Sequence, residues 1–414
     1  MSLPTRVLVV NQWLPPDFAP TAVLAGEVIE LLLAAGVPLL LISRERAGAT
    51  IDATPGIERY VIDRPAAGPT GILDKLLSWP AFARRALAIL SRELRPGDAL
   101  LVTSDPPLFY VLAVHTAKRR GARVIHWSHD VYPDIVERHI AAPWLAHLLL
   151  LPLRWLRDRA LRRADSVVAI SGGMSARLGS TGASVTEIPN WARDDRLHVR
   201  APRDSALRRL HFSDSDFVLA YSGNLGRVHE FETLVLAAAM LEHEGHIRFL
   251  IVGSGPRLDE LKARTVANQS EQFVFLAPQP EASLEDGLAA GDAHLVSLQP
   301  QFENLVLPSK LYSIAAVGRP IIFCGDEKGE VARLLEAHDC GLSAETGDAI
   351  KLAHLIRILA ADRERCAQMG ANARAMLDGH FSRAAALVKW AKVLGLASTQ
   401  SKESAHSADP PSAT

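Results

Sequence analysis

One pattern constrains this chain more than any other. A short, unbroken apolar run is followed by a helix-like period, and the pair recurs along almost the whole length. "RVLVV" at 6–10 leads through a proline-rich loop into "AVLAGEVIELLLAAG", which closes at Gly36. "PLLLIS" (38–43), "DALLVTS" (98–104), "ARVIHWS" (122–128) and "SVVAIS" (166–171) repeat the run, with helical stretches between them. A strand that is apolar at consecutive positions must be covered on both faces, and intervening helices supply the cover. The alternation therefore predicts an α/β chain with a parallel sheet.

The pattern then starts again. "FVLAYSG" (217–223), "IRFLIVGSG" (247–255), "FVFLAP" (273–278), "AHLVSL" (293–298) and "RPIIFCG" (319–325) form a second set. The charged stretch 193–214 lacks strand character and is read as the junction. Two domains follow, over about 1–195 and 200–380, a division that suits 414 residues. Residues 398–414, rich in Ser, Ala and Pro, read as a disordered tail. In two such domains ligands bind beyond the carboxyl ends of the strands, so a cleft between the domains is the expected site.

Composition removes several function classes. Net charge is −1, which argues against a protein that grips nucleic acid through a broad positive field. Cys324, Cys340 and Cys366 are widely spaced with no CxxC, so neither a disulfide framework nor a structural zinc is expected, and a reducing compartment is. The opening "MSLPTRVLVVNQW" has no signal-peptide core. "IAAPWLAHLLLLPLRWL" (140–156) holds two prolines, His147 and Arg154, and falls short of a clean membrane span.

The loops after the strands carry the candidate chemistry. "NQWLPPDFAPTA" contains Pro16, Ala19, Pro20 and Thr21 and joins a strand to a helix, a junction that offers N–H groups to an anion or is simply a rigid turn. It has neither GxGxxG nor a Walker sequence, which disfavours dinucleotide and P-loop sites. "HWSHDVYPD" places His129 and Asp130 directly after a strand, as reactive groups or as a capping loop. "AYSGNLGRVHEF" opens the second half. Gly223 and Gly226 let the backbone turn, Asn224 lies between them, and Arg227 suits bidentate contact with a phosphate. Gly253, in "VGSG", marks a weaker strand–Gly-x-Gly–helix junction.

"FENLVLPSKLYSIAAVG" sets Glu303 and the N–H groups of Asn304, Leu305, Val306 and Leu307 before a helix entered at Pro308-Ser309. A carboxylate beside free amides suits a polyhydroxy group. Lys310, in the first turn, has the wrong sign for the helix dipole, so either an anionic ligand or plain solvent accounts for it. The stretch 141–166 is apolar first and then carries Arg154, Arg157, Arg159, Arg162 and Arg163. It suits an anionic membrane surface, or a buried helix with a solvated arginine face.

Taken in order, "VNQWLPPDFAPTA", "HDVYPD", "RRADSVVAISGGMSARL", "TEIPNWAR", "AYSGNLGRVHEFETLVLAA", "FLIVGSGPRLDEL", "FVFLAPQP", "AAGDAHLVSL", "LPSKLYSIAAVGRPII" and "CGLSAETGDAIKLAHLI" resemble the GT-B glycosyltransferases of family 4. The resemblance covers most of residues 5–396 and is greatest for bacterial enzymes of exopolysaccharide and O-antigen assembly, within a fucosamine-transferase-like "PSK" subgroup. It implies two Rossmann-like, doubly wound domains, with a final helix at about 382–397 returning to the first. It implies a UDP- or GDP-linked sugar as co-substrate, with no cofactor and no metal, and retention of configuration.

Residue by residue, the resemblance makes Arg227 the phosphate arginine and puts the nucleobase against Leu276 to Pro278. Asp130 and His129 would face the transferred sugar or the acceptor, Ser309, Lys310 and Leu311 would bind the donor, and Lys310 would touch its diphosphate. Many relatives carry two glutamates eight positions apart here. Aligned on Pro308, the second position holds Lys310, the first holds Phe302, and Glu303 stands one step away. The expected function is transfer of a hexose-type sugar to a lipid-linked or saccharide acceptor by an enzyme peripheral on the cytoplasmic face of a membrane. A UDP-sugar 2-epimerase and a non-catalytic binding subunit are the alternatives.

Overall fold

The apolar runs become strands wherever helices cover both faces. The computed structural model describes residues 3–17, 19–44, 55–62, 72–140, 142–192, 196–267 and 272–396. The tail expected at 398–414 lies outside the described residues. The chain divides into two units, Met1–Pro189 with Ala384–Thr414, and Asn190–Arg383.

The first unit holds β1 (Val7–Val10), β2 (Leu39–Arg44), β3 (Ile57–Ile62), β4 (Ala99–Thr103), β5 (Arg123–Ser128), β6 (Ser166–Ala169) and β7 (Val185–Glu187). All pairings are parallel, in the order β3-β2-β1-β4-β5-β6-β7. The central strands β1, β2 and β4 are buried at every position, as their unbroken apolar sequence requires. Edge strands β3 and β7 are half exposed, and their sequences, "IERYVI" and "VTE", mix charge with apolar residues. The helix Arg383–Leu394 adds Trp390, fully buried with its ring 4.5 Å from that of Trp127. Arg123 fastens the end of that helix by donating to the carbonyls of Val393 and Leu394 at 3.0 and 2.8 Å.

The second unit holds β8 (Phe217–Asn224), β9 (Ile247–Ser254), β10 (Phe273–Leu276), β11 (Ala293–Ser297), β12 (Ile321–Gly325) and β13 (Gly341–Glu345), parallel in the order β10-β9-β8-β11-β12-β13. Both sheets are thus doubly wound. Strand order reverses beside β1, between it and β4, and beside β8, between it and β11. At such a point the loops from neighbouring strands part to opposite sides and leave a crevice at the carboxyl ends.

The charged junction is built into the second unit. Residues 206–211 form a helix capped by Ser205, whose hydroxyl accepts from the Arg208 N–H at 3.1 Å. Arg208 is buried, and it donates to Asp292 and to the Ala290 carbonyl at 2.9 Å each and to the Asp216 carbonyl at 2.7 Å. Asp292 also accepts the Val218 N–H at the start of β8 and pairs with Arg363. The site strand therefore begins on a buried ion pair. Removing one partner of such a pair leaves the other charge uncompensated. Arg208→Leu is expected to cost about 3 kcal/mol or more of unfolding free energy in urea denaturation, whereas Arg209→Leu, on the exposed side of the same helix, should cost little.

Candidate functional site

Two loops leave the sheet on either side of the second switch point, one after β8 and one after β11, and they are laced together. Gln299 donates its side-chain amide to the carbonyls of Arg227 and His229, both at 3.0 Å, and its backbone N–H to Val228 at 2.9 Å. Ser297 accepts the Glu230 N–H at 2.8 Å and donates to the Glu230 carbonyl at 2.6 Å. His229 Nδ1 donates to the Ser297 carbonyl, and Arg257 donates to the His229 carbonyl. Neither Ser297 nor Gln299 stands out in the sequence, because their partners are backbone groups of a distant loop.

The predicted glycines have steric reasons. Gly223 has φ of 131°, a region that L side chains rarely adopt, and it is exposed at the end of β8. A Cβ at Gly253 would lie 2.0 Å from the Gly223 carbonyl oxygen, so the ends of β8 and β9 meet only because residue 253 has no side chain. Asn224 ends β8, Gly226 lies in the loop that follows, and Arg227 is exposed. Among the described residues Arg227 has no ion pair.

Lys310 approaches from the other loop. Its Nζ is buried, lies 3.5 Å from the centroid of the Tyr221 ring and has no hydrogen-bond partner among the described residues. The stem is partly exposed, so it is the charged end that is hidden. Burial lowers its pKa to about 7. His229 falls to about 4, through burial first and then the nearby Lys310, and His294 on β11 also falls to about 4, chiefly through burial. Both rings are neutral at neutral pH.

Glu303 is engaged as a helix cap. Its carboxylate accepts the Glu330 N–H at 2.6 Å and packs on Gly329, where a Cβ would lie 2.8 Å from it. Burial raises its pKa, and the Glu330 N–H opposes the rise. Asn304 follows in a left-handed conformation with φ of 62°. Leu305 and Leu311 are core side chains, 1% and 0% exposed, so only their backbones can reach a ligand. Val306 and Ser309 are half-buried, Leu276 ends the edge strand β10, and Pro278 is exposed beyond it.

The first unit gathers its candidates at the carboxyl ends of β1, β4 and β5. The Ser104 hydroxyl accepts the N–H groups of both His129 and Asp130, at 3.1 and 3.2 Å. Burial raises Asp130 to about 6 and lowers His129 to about 3, so the imidazole there is neutral. Tyr132 is raised by burial and by Asp130 and Asp105. Asp105 is thus an acid of this cluster that the sequence reading missed. The β1 loop holds Pro16 exposed and Ala19 and Thr21 half-buried, and Pro20 is the first residue of the following helix. The Asp17 carboxylate accepts the Ala19 N–H at 2.8 Å.

The helix Pro143–Arg163 turns its arginines differently from the expectation. Arg154 and Arg157 face inward to Asp134 and Glu137, and Arg177 joins them at Asp134. Burial alone would raise Asp134, but the three guanidinium groups hold its carboxyl below the ordinary range. The outward face is apolar over most of its length, with Trp144 74% and Trp155 59% exposed and Leu148 and Leu149 exposed too, and it ends in exposed Arg159, Arg162 and Arg163. Among the described residues no helix is long and apolar enough to cross a membrane, and no group of three or more His, Cys, Asp or Glu is placed to hold a metal.

The unpartnered lysine has a measurable consequence. An unfolded chain keeps the Lys310 proton up to about 10.4, while the folded one releases it from about 7. Between those values the unfolded state binds more protons, so this group's contribution to stability rises with pH; below about 7 the cost of burying the ammonium is fully present. Lys310→Met is therefore expected to raise the melting temperature, most at about pH 6.5 and progressively less toward about pH 9.5. A gap that does not change with pH would mean that the ammonium is well solvated.

Both halves of the chain match glycosyltransferase families. Residues 21–196 match the model "Glycosyltransferase Family 4", and residues 203–376 match "Glycosyl transferases group 1". WbjE of Pseudomonas aeruginosa, described as a glycosyltransferase, is 24% identical over 393 residues, 93% of this chain and 96% of the relative. WcaI of Escherichia coli, described as a colanic acid biosynthesis glycosyl transferase, is 26% identical over 358 residues, 80% of this chain and 86% of the relative. Among solved structures, HepE of Anabaena in complex with UDP-glucose aligns over 94% of this chain and 99% of its own with a TM-score of 0.69 at 16% identity, a likeness of fold. With two doubly wound sheets and a glycosyltransferase domain in each half, the chain is a glycosyltransferase of the GT-B fold.

Proposed function

We propose that this enzyme moves a sugar from a UDP- or GDP-linked donor to a lipid-linked or saccharide acceptor in bacterial surface polysaccharide biosynthesis. The observation that carries the donor assignment is the loop 223–227. It ends β8 at the switch point, turns on glycine, and presents an exposed Arg227 whose side chain has no ion pair among the described residues. The donor class accords with the UDP-glucose held by HepE, and the biosynthetic setting with the description of WcaI. The fucosamine-transferase-like subgroup, retention of configuration and independence of metal rest on the family resemblance.

The chemistry asks for little beyond electrostatics. Departure of the nucleotide diphosphate leaves charge on a phosphate oxygen, and fixed donors aimed at that oxygen lower the barrier. Arg227 and the N–H groups of the glycine turn supply them on the second unit. On the first unit Asp130, ionised above about 6, accepts a hydrogen bond from a sugar or acceptor hydroxyl, and neutral His129 offers a second polar contact. Glu303 holds the loop between β11 and Lys310 in place through its bond to Glu330 and orients the amides that follow.

Arg227→Ala is expected to remove the thermal shift given by the best donor in a panel of nucleotide-sugars and to lower transfer about a hundredfold or more. Transfer should survive excess EDTA. An unchanged shift in Arg227→Ala would displace the donor site. A product epimerised at C2, in place of transfer, would assign the protein to the epimerases.

We further place the enzyme on the cytoplasmic face of a membrane, through the outward face of the helix Pro143–Arg163. Two tryptophans beside a run of exposed leucines suit the headgroup boundary, and Arg159 and Arg163 supply charge for anionic lipid. In sedimentation with anionic vesicles at low salt the wild type should pellet, and Trp144→Ala with Trp155→Ala should stay in the supernatant. A wild type that ignores such vesicles would sink the membrane assignment.

A further inference from the structure

We propose that Lys310 is a ligand for the donor diphosphate that acts by gaining a proton: as the anion enters beside Gly223, the buried amine takes one proton from the buffer and holds the phosphate as an ammonium. The inference rests on the donor assignment above and adds to it a residue and a proton.

The position of the amine points to a ligand. Its nitrogen is buried over the face of Tyr221, and no protein atom among the described residues accepts a hydrogen bond from it. A buried cation left in that condition is costly, and stacking on an aromatic face offsets only part of the cost. A Cβ at residue 223 would lie 3.7 Å from both Cε and Nζ of Lys310, and Gly223 is exposed. An atom resting on the open face of Gly223 is therefore within ion-pair range of the amine. The same loop carries Arg227 four residues on, so the two cations flank one turn of backbone.

The surrounding groups leave the negative partner to come from outside. β8 contributes Tyr221, whose hydroxyl donates to the Asn224 carbonyl at 2.9 Å and whose pKa is raised by burial. The loop after β8 contributes Arg227, His229 and Glu230. His229 is neutral, and Glu230 is turned to the Thr233 N–H at 2.9 Å. β11 contributes neutral His294, and the loop before Lys310 contributes Glu303, which is spent on Glu330. Among the described residues no carboxylate is aimed at the amine, and two neutral imidazoles add no charge to hold it. Burial brings its titration to about 7, so at mildly alkaline pH the empty site is largely uncharged. A doubly charged diphosphate supplies the missing countercharge and shifts the amine back to its charged form. By linkage, affinity must then fall as pH rises above about 7, and binding must take up a proton in that range.

The test is calorimetric titration of the full-length protein with UDP-glucose and GDP-mannose, repeated in buffers of different ionisation enthalpy. A sugar-linked diphosphate has no terminal phosphate titrating near 6, so proton uptake reports on the protein. For the wild type at about pH 8.5 uptake should approach one proton per ligand, falling toward zero at about pH 6. Lys310→Met should bind at least tenfold more weakly at about pH 6.5, take up no proton at either pH, and lose the alkaline fall in affinity. A melting temperature no lower than that of the wild type shows that this variant is folded. Lys310→Arg should restore binding without uptake. If the wild type binds and Arg227→Ala abolishes binding, yet uptake is absent or persists in Lys310→Met, this inference falls and the donor assignment stands. If neither donor binds the wild type, both fall.

Discussion

The candidate donor site depends on backbone carbonyls finding partners across a break in the sheet. β8 and β11 pair at Leu219 with Ala293 and at Ala220 with His294, and beyond these the ladder stops and the two loops part. The carbonyls of Arg227, Val228, His229 and Glu230 would then face an unpaired interior. Gln299 and Ser297 satisfy all four from the facing side, and the His229 ring donates in return to the Ser297 carbonyl. Because a buried unpaired carbonyl costs about 1–3 kcal/mol, this lacing holds the turn of Gly223 to Arg227 in one shape. The Leu225 N–H is held as well, by the Ser254 carbonyl at the end of β9 at 2.8 Å.

The central strands were legible for a simple reason. Each is apolar at consecutive positions, because helices cover it on both sides, and that pattern survives any detail of packing. β3, β7 and β13 were not read as strands from their own residues. β3 and β7 are edges, where one flank pairs and the other meets solvent, so "IERYVI" and "VTE" carry charge. "GLSAE" of β13 is similarly mixed. At the site, Gly223, Gly253 and Arg227 were legible because turn geometry and phosphate chemistry limit the residue types. Ser297, Gln299, Ser104 and Asp105 were not, since their partners lie far away in sequence. Glu303 was legible as an acid in the right loop, but its engagement with Glu330, 27 residues on, could be seen only in three dimensions.

Buried charge separates structure from function in this molecule. Arg208 is paired with Asp292, and Arg154, Arg157 and Arg177 with Asp134, where Glu137 adds a second carboxylate; each group ties a helix to the strand or turn beside it. Lys310 is compensated by nothing but an aromatic face. A fold that sets carboxylates against these arginines has no structural need for an isolated ammonium. A methionine of similar length would fill the volume without the electrostatic cost. The ligand proposed above gives the lysine a partner that the described residues do not.

The same reasoning sharpens the outer helix Pro143–Arg163. Arginine-rich sequence suggested a charged face turned to lipid headgroups, yet its two central arginines are drawn inward by a carboxylate held under β5 and the following turn. With those charges satisfied internally, the helix no longer needs to bury its apolar residues to be stable. Its tryptophans and leucines can then stand in solvent at a cost that a membrane surface would relieve. Asp134 is the carboxylate that Arg154, Arg157 and Arg177 share, and it draws the inward face of the helix onto the turn after β5, with Glu137 as a second anchor for Arg154.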